Sequence, residues 1–118
     1  ELLEKDGLVL TENLMPVEIK MSRYLADILL NNLFSNAVRH NVTGGYINIQ
    51  LDQQALTISN SGKARHLQTK IFDRFSKSVE SEGLGLGLAI TKQICNLYGF
   101  RIDYEEENGE HVFVVYFV

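Results

Sequence analysis

The stretch Gly83-Leu84-Gly85-Leu86-Gly87-Leu88 has glycine at every second position. Residues 84–98 have the apolar period of a helix, and Gly99 is its predicted C-terminal cap. Glycines at a helix entrance leave backbone N–H groups free to point at an anion, and the helix N-terminus adds positive partial charge. The spacing matches neither the dinucleotide motif G-x-G-x-x-G nor the P-loop motif. A flexible loop that enters a helix is the alternative, but it does not require such regular glycines.

The composition around this stretch is that of one globular domain. The chain has 118 residues, 45% of them hydrophobic, and a net charge of −4. We therefore expect a single domain over residues 1–118, cut from a longer protein because the chain does not begin with Met. The single cysteine indicates a reducing compartment, and the longest apolar run, residues 112–118, is too short to span a membrane. The acidic balance argues against nucleic acid as a partner, although residues 61–79 hold five of the eleven basic residues.

The order of predicted elements indicates an α+β fold. Residues 7–21 are interpreted as an irregular strand entry, and residues 23–40 as a helix with Ser22 as N-cap. Residues 46–59 form a predicted hairpin, residues 64–75 a short helix, and residues 76–83 a loop. Asn108-Gly109 is suited to the tight turn of a last hairpin over residues 100–118. We expect a two-layer α/β sandwich, with about three helices on one face of a mostly antiparallel mixed sheet.

Two further groups of polar residues are candidates for ligand binding. Asn32 and Asn36 share a face of the first helix, and Arg39 and His40 extend this stripe. A solvated helix face is one interpretation, and an amide oxygen for Mg²⁺ is the other. Asn60 ends a predicted strand and is followed by Ser61-Gly62, which is either a simple turn or a contact to the edge of a heterocycle.

Taken in order, four segments resemble motifs of the catalytic, ATP-binding domain of bacterial sensor histidine kinases. This family shares a superfamily and the Bergerat fold with gyrase, heat-shock chaperones and mismatch-repair ATPases. Residues 32–40 resemble its N box, residues 58–62 its G1 box, residues 71–75 its F box and residues 83–90 its G2 box. Four motifs in this order are far more specific than any one of them, and the resemblance covers almost the whole chain.

The resemblance implies that the chain binds ATP and Mg²⁺. Asn36 would bind the Mg²⁺ ion, Arg39 would lie near the phosphates, and Asn60 would read the adenine amino group. The implied catalytic set is Asn32, Asn36, Arg39 and Arg74. The implied nucleotide contacts are Asn36, Arg39, His40, Asn60, Gly62, Phe72, Phe75, Gly83, Leu84, Gly85, Leu86 and Gly87.

The chain departs from the family pattern at two positions of the G1 box, and it differs from hydrolysing relatives at a third position. The usual G1 motif is D-x-G-x-G, but here Asn60 replaces the Asp and Ala64 the second Gly. An Asn oxygen still accepts a hydrogen bond from adenine but without charge assistance, so we expect weaker ATP binding. Hydrolysing relatives carry a Glu as general base where this chain has Asn32, which cannot accept a proton near neutral pH. This difference favours phosphoryl transfer over hydrolysis.

The resemblance also implies partners that lie outside this chain. The phosphate acceptor is a histidine on a separate dimerisation domain, and a response regulator receiver domain acts downstream. We expect a monomeric domain in the cytoplasm, either free or as the cytoplasmic part of a membrane-bound sensor. We expect this domain itself neither to insert into the membrane nor to bind nucleic acid. A degenerate nucleotide-binding module and a serine-directed kinase or ATPase of the same superfamily stay open as alternatives.

Overall fold

A computed structural model describes residues 2–3, 7–62 and 86–117 of the chain. The elements are β1 (Leu2–Leu3), β2 (Leu8–Leu14), α1 (Arg23–Arg39), β3 (Tyr46–Leu51), β4 (Ala55–Ser61), α2 (Leu86–Leu97), β5 (Arg101–Glu107) and β6 (Glu110–Tyr116). The predicted helix over residues 64–75 and the predicted loop over residues 76–83 lie outside the described residues.

The six described strands form one mixed sheet in the order β1-β2-β3-β4-β6-β5. Every neighbouring pair is antiparallel except β2 and β3, which run parallel. One continuous core joins side chains of α1 and α2 to alternate residues of the strands, so both helices cover the same face of the sheet. The predicted α+β sandwich with a mostly antiparallel sheet is confirmed, and two of its predicted helices are described.

The prediction of an irregular entry over residues 7–21 is wrong for its first half. Leu8–Leu14 is a regular strand that pairs with β3 from Val9 opposite Tyr46 to Leu14 opposite Leu51. Its pattern is weak because the side chains beyond Leu10 are exposed, and its pairing partner follows only after α1. The strand is therefore stabilised by a non-local contact that local propensity does not report.

Helix α1 follows the predicted apolar stripe. Ser22 caps its N-terminus, because its Oγ accepts a hydrogen bond from the Leu25 N–H at 3.3 Å. Leu29, Leu33 and Ala37 are buried against the sheet at intervals of one turn. The stripe thus fixes which face of α1 turns away from the sheet, and Asn32 and Asn36 lie beside it.

Local signals also set the ends of the last three elements. Helix α2 is followed by Gly99 with a φ of +74°, as expected of a C-terminal cap. Asn108 and Gly109 both have positive φ, 53° and 83°, which the predicted tight turn between β5 and β6 requires. Cys95, on the inner face of α2, is fully buried, and burial raises the pKa of its thiol to about 11. None of the described helices is both long enough and apolar enough to cross a membrane.

Candidate nucleotide-binding site

The candidate residues meet at one end of the sheet, where polar side chains replace the apolar core. On the inner face of β4, Leu56 and Ile58 are followed by Asn60, and on β6 His111 precedes Phe113. Asn60 and His111 lie directly opposite each other in the antiparallel pair. The end of α1 lies next to this end of the sheet, because Ser61 bonds to Asn41 and the His40 carbonyl oxygen lies beside Gly62. Farther back along α1, Asn32 is linked by a hydrogen bond to Gly87 of α2. The candidate site therefore has a sheet floor and one wall formed by α1, to which α2 is attached.

Asn60 carries a buried acceptor that no described residue uses. The residue is 1% exposed, and its Nδ2 donates to the Ser61 carbonyl oxygen at 2.7 Å. Its Oδ1 is buried with no hydrogen-bond partner among the described residues. An unpaired buried polar atom costs about 1–3 kcal/mol, and native proteins rarely carry one without a bound water, ion or ligand to satisfy it. Asn60 Oδ1 is thus set up to accept a hydrogen bond from a bound donor.

Gly62 is glycine because the protein itself fills the space beside it. A Cβ atom at this position would lie 2.7 Å from His111 Cδ2 and 2.7 Å from the His40 carbonyl oxygen. The Gly62 N–H donates to the Gly109 carbonyl oxygen at 2.8 Å, which ties the end of β4 to the last turn of the chain. The predicted role of Gly62 in admitting a base stays a prediction, and its packing against His111 is sufficient reason for the glycine.

His111 is a residue of this end of the sheet that the sequence reasoning missed. It is 5% exposed, its Nδ1 lies 2.6 Å from Tyr104 Oη, and the two rings stack at a centroid distance of 5.9 Å. A period of two along β6 places His111 on the same face as Phe113 and Val115. That period was visible in the sequence and could have identified His111 as part of the floor.

A network of side-chain and backbone hydrogen bonds holds the end of β4 against α1. Ser61 Oγ donates to Asn41 Oδ1 at 2.6 Å and accepts from the Tyr46 N–H at 2.8 Å. Asn41 Nδ2 in turn donates to the carbonyl oxygens of Ala37 at 3.2 Å and Tyr46 at 2.9 Å. Because Ser61 adjoins Asn60, this network fixes the backbone that orients the Asn60 amide.

Tyr46, the first residue of β3, and Glu110, the first residue of β6, are joined by a side-chain hydrogen bond. The Tyr46 hydroxyl donates to Glu110 Oε2 at 2.5 Å. Burial raises the pKa of Tyr46 to about 12, and the hydrogen bond to Glu110 and its negative charge act in the same direction. The phenol therefore stays protonated and keeps donating to Glu110 through the neutral range.

The predicted polar stripe on α1 is only partly exposed to solvent. Asn32, Asn36 and His40 are half-buried, whereas Arg39 is exposed at the last turn of α1. The backbone N–H of His40 donates to the Asn36 carbonyl oxygen at 3.1 Å and ends the helix. Asn36 thus offers an amide side chain one helical turn from Asn32.

The described part of the G2 box is the beginning of α2. Gly87 is exposed, and its carbonyl oxygen accepts hydrogen bonds from Asn32 Nδ2 at 3.1 Å and from Thr91 Oγ1 at 2.8 Å. Several predicted site residues, together with the side chain of Leu86, lie outside the described residues. These residues are Phe72, Arg74, Phe75, Gly83, Leu84 and Gly85.

The oxygen atoms of the described site suit a hard cation that is held mainly by the phosphates of a bound nucleotide. Among residues 7–62 and 86–117, no three His, Cys, Asp or Glu side chains lie together to bind a metal ion. Mg²⁺ commonly takes only one or two protein oxygens and completes its shell with waters and substrate phosphates. The Asn36 amide oxygen fits that requirement, and its role as a Mg²⁺ ligand stays a prediction.

Comparisons with known proteins agree with this geometry. Residues 24–118 match the model of the HATPase_c family, described as histidine kinase-, DNA gyrase B- and HSP90-like ATPases. The chain is 32% identical to the heme sensor protein HssS of Staphylococcus saprophyticus, over 97% of this chain and 26% of that protein. It is 34% identical to the probable sensor kinase SilS of Salmonella typhimurium, over 85% of this chain and 22% of that protein. The chain spans about a quarter of the length of these curated relatives.

Solved structures show the same fold. The catalytic domain of histidine kinase ThkA superposes with a TM-score of 0.80 at 24% identity, covering 93% of this chain and 79% of that one. The mycobacterial sensor histidine kinase MprB gives a TM-score of 0.78 at 21% identity, covering 93% of this chain and 82% of that one. The predicted resemblance to the catalytic domain of sensor histidine kinases is confirmed, and the family match implies ATP binding. The chain belongs to the HATPase_c family of histidine kinase-, DNA gyrase B- and HSP90-like ATPases.

Proposed function

We propose that this chain binds Mg-ATP and supplies its γ-phosphoryl group to a histidine on a separate dimerisation domain, in two-component signal transduction. The observation that carries the proposal is the buried, unpaired acceptor Asn60 Oδ1. It lies at the end of the sheet that α1 borders, and α1 is linked through Asn32 to Gly87 of α2, a helix that follows a glycine-rich stretch of sequence. A heterocycle with an exocyclic amine and an attached phosphate chain satisfies both features.

The orientation of the Asn60 amide selects adenine over guanine. Because Nδ2 donates to the Ser61 carbonyl at 2.7 Å, Oδ1 is the atom left for a ligand. The 6-amino group of adenine donates to such an oxygen, whereas the 6-oxo group of guanine would place two acceptors against each other. The Asp of the family pattern and Asn60 therefore perform the same recognition, but Asn60 does so without charge.

We assign the phosphate end of the nucleotide to residues of α1 and α2. Asn36 would hold Mg²⁺, which when bound neutralises phosphate charge, and Arg39 adds an exposed cation at the last turn of α1. Gly87 is exposed, and a Cβ atom there would meet Asn32 only at 3.7 Å, an ordinary contact. No neighbour among the described residues thus requires this glycine, which supports the close approach of a phosphate. We assign Arg74, Phe72, Phe75 and the glycines of the G2 box to the same site on sequence alone.

Two features favour transfer to a histidine over hydrolysis. Asn32 occupies the position of the general base of hydrolysing relatives, and its side chain donates to the Gly87 carbonyl. An amide in that role does not take a proton from water. Phosphoryl transfer by positioning and electrostatics then depends on the acceptor histidine, which the resemblance implies on a separate domain. The relatives HssS and SilS are named as a sensor and a probable sensor kinase, and by analogy we assign this chain to the cytoplasmic kinase portion of a sensor that serves a response regulator.

Calorimetric titration tests the nucleotide site. We expect Mg-ATP to bind and Mg-GTP to bind at least tenfold more weakly, which corresponds to about 1.4 kcal/mol. Asn60→Leu, which keeps the side-chain shape but removes the acceptor, should abolish ATP binding at millimolar concentration. Asn13→Leu makes the same change on the exposed part of β2 and should leave the affinity intact. No binding of Mg-ATP to the unaltered chain would refute the proposal.

Transfer is tested with radiolabelled ATP and the cognate histidine-bearing domain. We expect label on that domain in the presence of the chain, and none with Asn36→Ala. Full activity of Asn36→Ala would show that the metal ligand is misassigned. ATP binding with no transfer would favour the nucleotide-sensing module instead.

A further inference from the structure

We propose that Asn32 is a positioning residue of the nucleotide site, which fixes the first turn of α2 relative to Asn36 on α1. The inference rests on the proposed function, since it assigns Asn32 a role toward Mg-ATP. It replaces the sequence-based assignment of Asn32 to the catalytic set, because the contact that its side chain makes is to backbone.

The contact joins two distant parts of the chain. Asn32 lies in the third turn of α1, and its Nδ2 donates to the Gly87 carbonyl oxygen of α2 at 3.1 Å, across 55 positions of sequence. Asn36 follows one helical turn later on the same face of α1. A displacement of α2 at Gly87 therefore changes the distance between the G2 box and the predicted Mg²⁺ ligand.

Thr91 strengthens the same contact from inside α2. Its side chain is fully buried, and its Oγ1 donates to the Gly87 carbonyl oxygen at 2.8 Å. Two side-chain donors from different helices thus converge on one carbonyl, so its direction is held from two sides. A hydroxyl that bonds back along a helix usually competes with the helical hydrogen bond, and Thr91 needs a reason to be retained here.

The direction of the Gly87 carbonyl matters because it fixes the direction of the backbone N–H groups in the same part of α2. The first four N–H groups of a helix have no partner within it, and they carry the positive end of the helix dipole. All carbonyls of α2 point away from that end, so tilting Gly87 tilts the N–H groups that would face a phosphate. The Asn32 contact consequently orients the described beginning of α2, which continues the predicted phosphate-binding G2 box.

The contact also explains why an amide stands at this position. A glutamate at position 32 would present only acceptor oxygens to the Gly87 carbonyl. Its carboxylate would have to turn away, toward the solvent side of the site. Asn32 therefore cannot activate water, but its amide holds α1 and α2 in a fixed arrangement.

The first test compares ATP affinity with and without Mg²⁺. Asn32→Leu removes the donor while it keeps the charge and approximate shape, and Asn31→Leu makes the same change at an exposed neighbour. We expect the gain in ATP affinity on adding Mg²⁺ to fall about fivefold in Asn32→Leu, within the range of one lost hydrogen bond, and to stay unchanged in Asn31→Leu. A lower melting temperature with an unchanged Mg²⁺ effect, measured well below melting, would mean a purely structural role and overturn the inference.

The second test needs no nucleotide. Asn32→Leu and Thr91→Val each remove one donor to the Gly87 carbonyl, so a double-mutant cycle on the unfolding free energy should be non-additive. Amide hydrogen exchange in the first turn of α2 should also accelerate in Asn32→Leu. Additive effects with unchanged exchange would overturn the inference even if ATP binds. Failure of the unaltered chain to bind Mg-ATP would instead overturn the proposed function, while a non-additive cycle would still establish the contact.

Discussion

Replacing Asn60 with leucine should make the nucleotide-free protein more stable. Substitutions of buried residues usually destabilise by about 1 kcal/mol, so the opposite sign is a sharp expectation. Asn60 is 1% exposed and buries an oxygen that has no partner among the described residues, and such an oxygen costs about 1–3 kcal/mol. Leucine has nearly the same shape and carries no polar atom, so this cost disappears.

The gain is partly offset by the hydrogen bond that leucine cannot make. Asn60 Nδ2 donates to the Ser61 carbonyl oxygen at 2.7 Å, and such a bond contributes about 1 kcal/mol. The difference leaves a net stabilisation on the order of 1 kcal/mol. In a domain of 118 residues this corresponds to a rise in melting temperature of about 3–5 °C.

The assay is calorimetric unfolding with and without saturating Mg-ATP. Without nucleotide, Asn60→Leu should melt above the unaltered chain. With nucleotide, the order should reverse, because only the unaltered chain gains stability from a bound ligand. A drop of 2 °C or more without nucleotide would refute the reasoning, since it would show that the Asn60 amide stabilises the fold rather than serving a ligand.

Two further predictions concern the strands beside Asn60. Gly45→Ala should destabilise by about 3 kcal/mol in denaturant unfolding, because its Cβ would lie about 2 Å from the Ser61 and Asn41 side-chain oxygens and disrupt roughly three hydrogen bonds. Gly44→Ala, with open space but a φ of +77°, should cost only about 1 kcal/mol, and equal effects at the two glycines would contradict the steric argument. Tyr46→Phe should make the unfolding free energy decrease less steeply as the pH rises above 10. The folded-state pKa of about 12 exceeds the ordinary value of 10, so this contribution is complete below pH 10 and is lost as the pH rises toward 12. Identical pH profiles of unfolding free energy between pH 9 and 11 would show that Tyr46 contributes nothing.

The features that the sequence predicted well are those set by neighbouring residues. Ser22 caps α1, and Asn108 and Gly109 adopt positive φ, because each requirement is met within a few positions. The alternation along β3 and β4 also identified their hairpin, since a short turn brings these strands together. The C-terminal end of α2 and its Gly99 cap follow from the same local rules.

Features set by distant contacts could not be predicted from pattern alone. The strand β2 is stabilised by parallel pairing with β3, which the chain reaches only after the whole of α1. Gly62 packs against the His111 ring and the His40 carbonyl oxygen, contacts that no local pattern reports, and its role in admitting a base stays a prediction. Asn32 likewise contacts Gly87 across 55 positions, and no periodicity reports such a pair.

Asn60 and Asn32 each have an amide where related proteins have a carboxylate. At each position the family pattern or its hydrolysing members carry a carboxylate, and at each position this chain has an amide whose N–H donates to a backbone carbonyl. A carboxylate would have no hydrogen to offer the Ser61 or Gly87 carbonyl, and its charge would add to that of the phosphates. In the proposed site both amides would thus keep the recognition geometry, remove negative charge beside a polyanion, and leave water without a base. Such a site would hold ATP intact until an acceptor arrives, which is what the proposed transfer to a histidine on another domain requires.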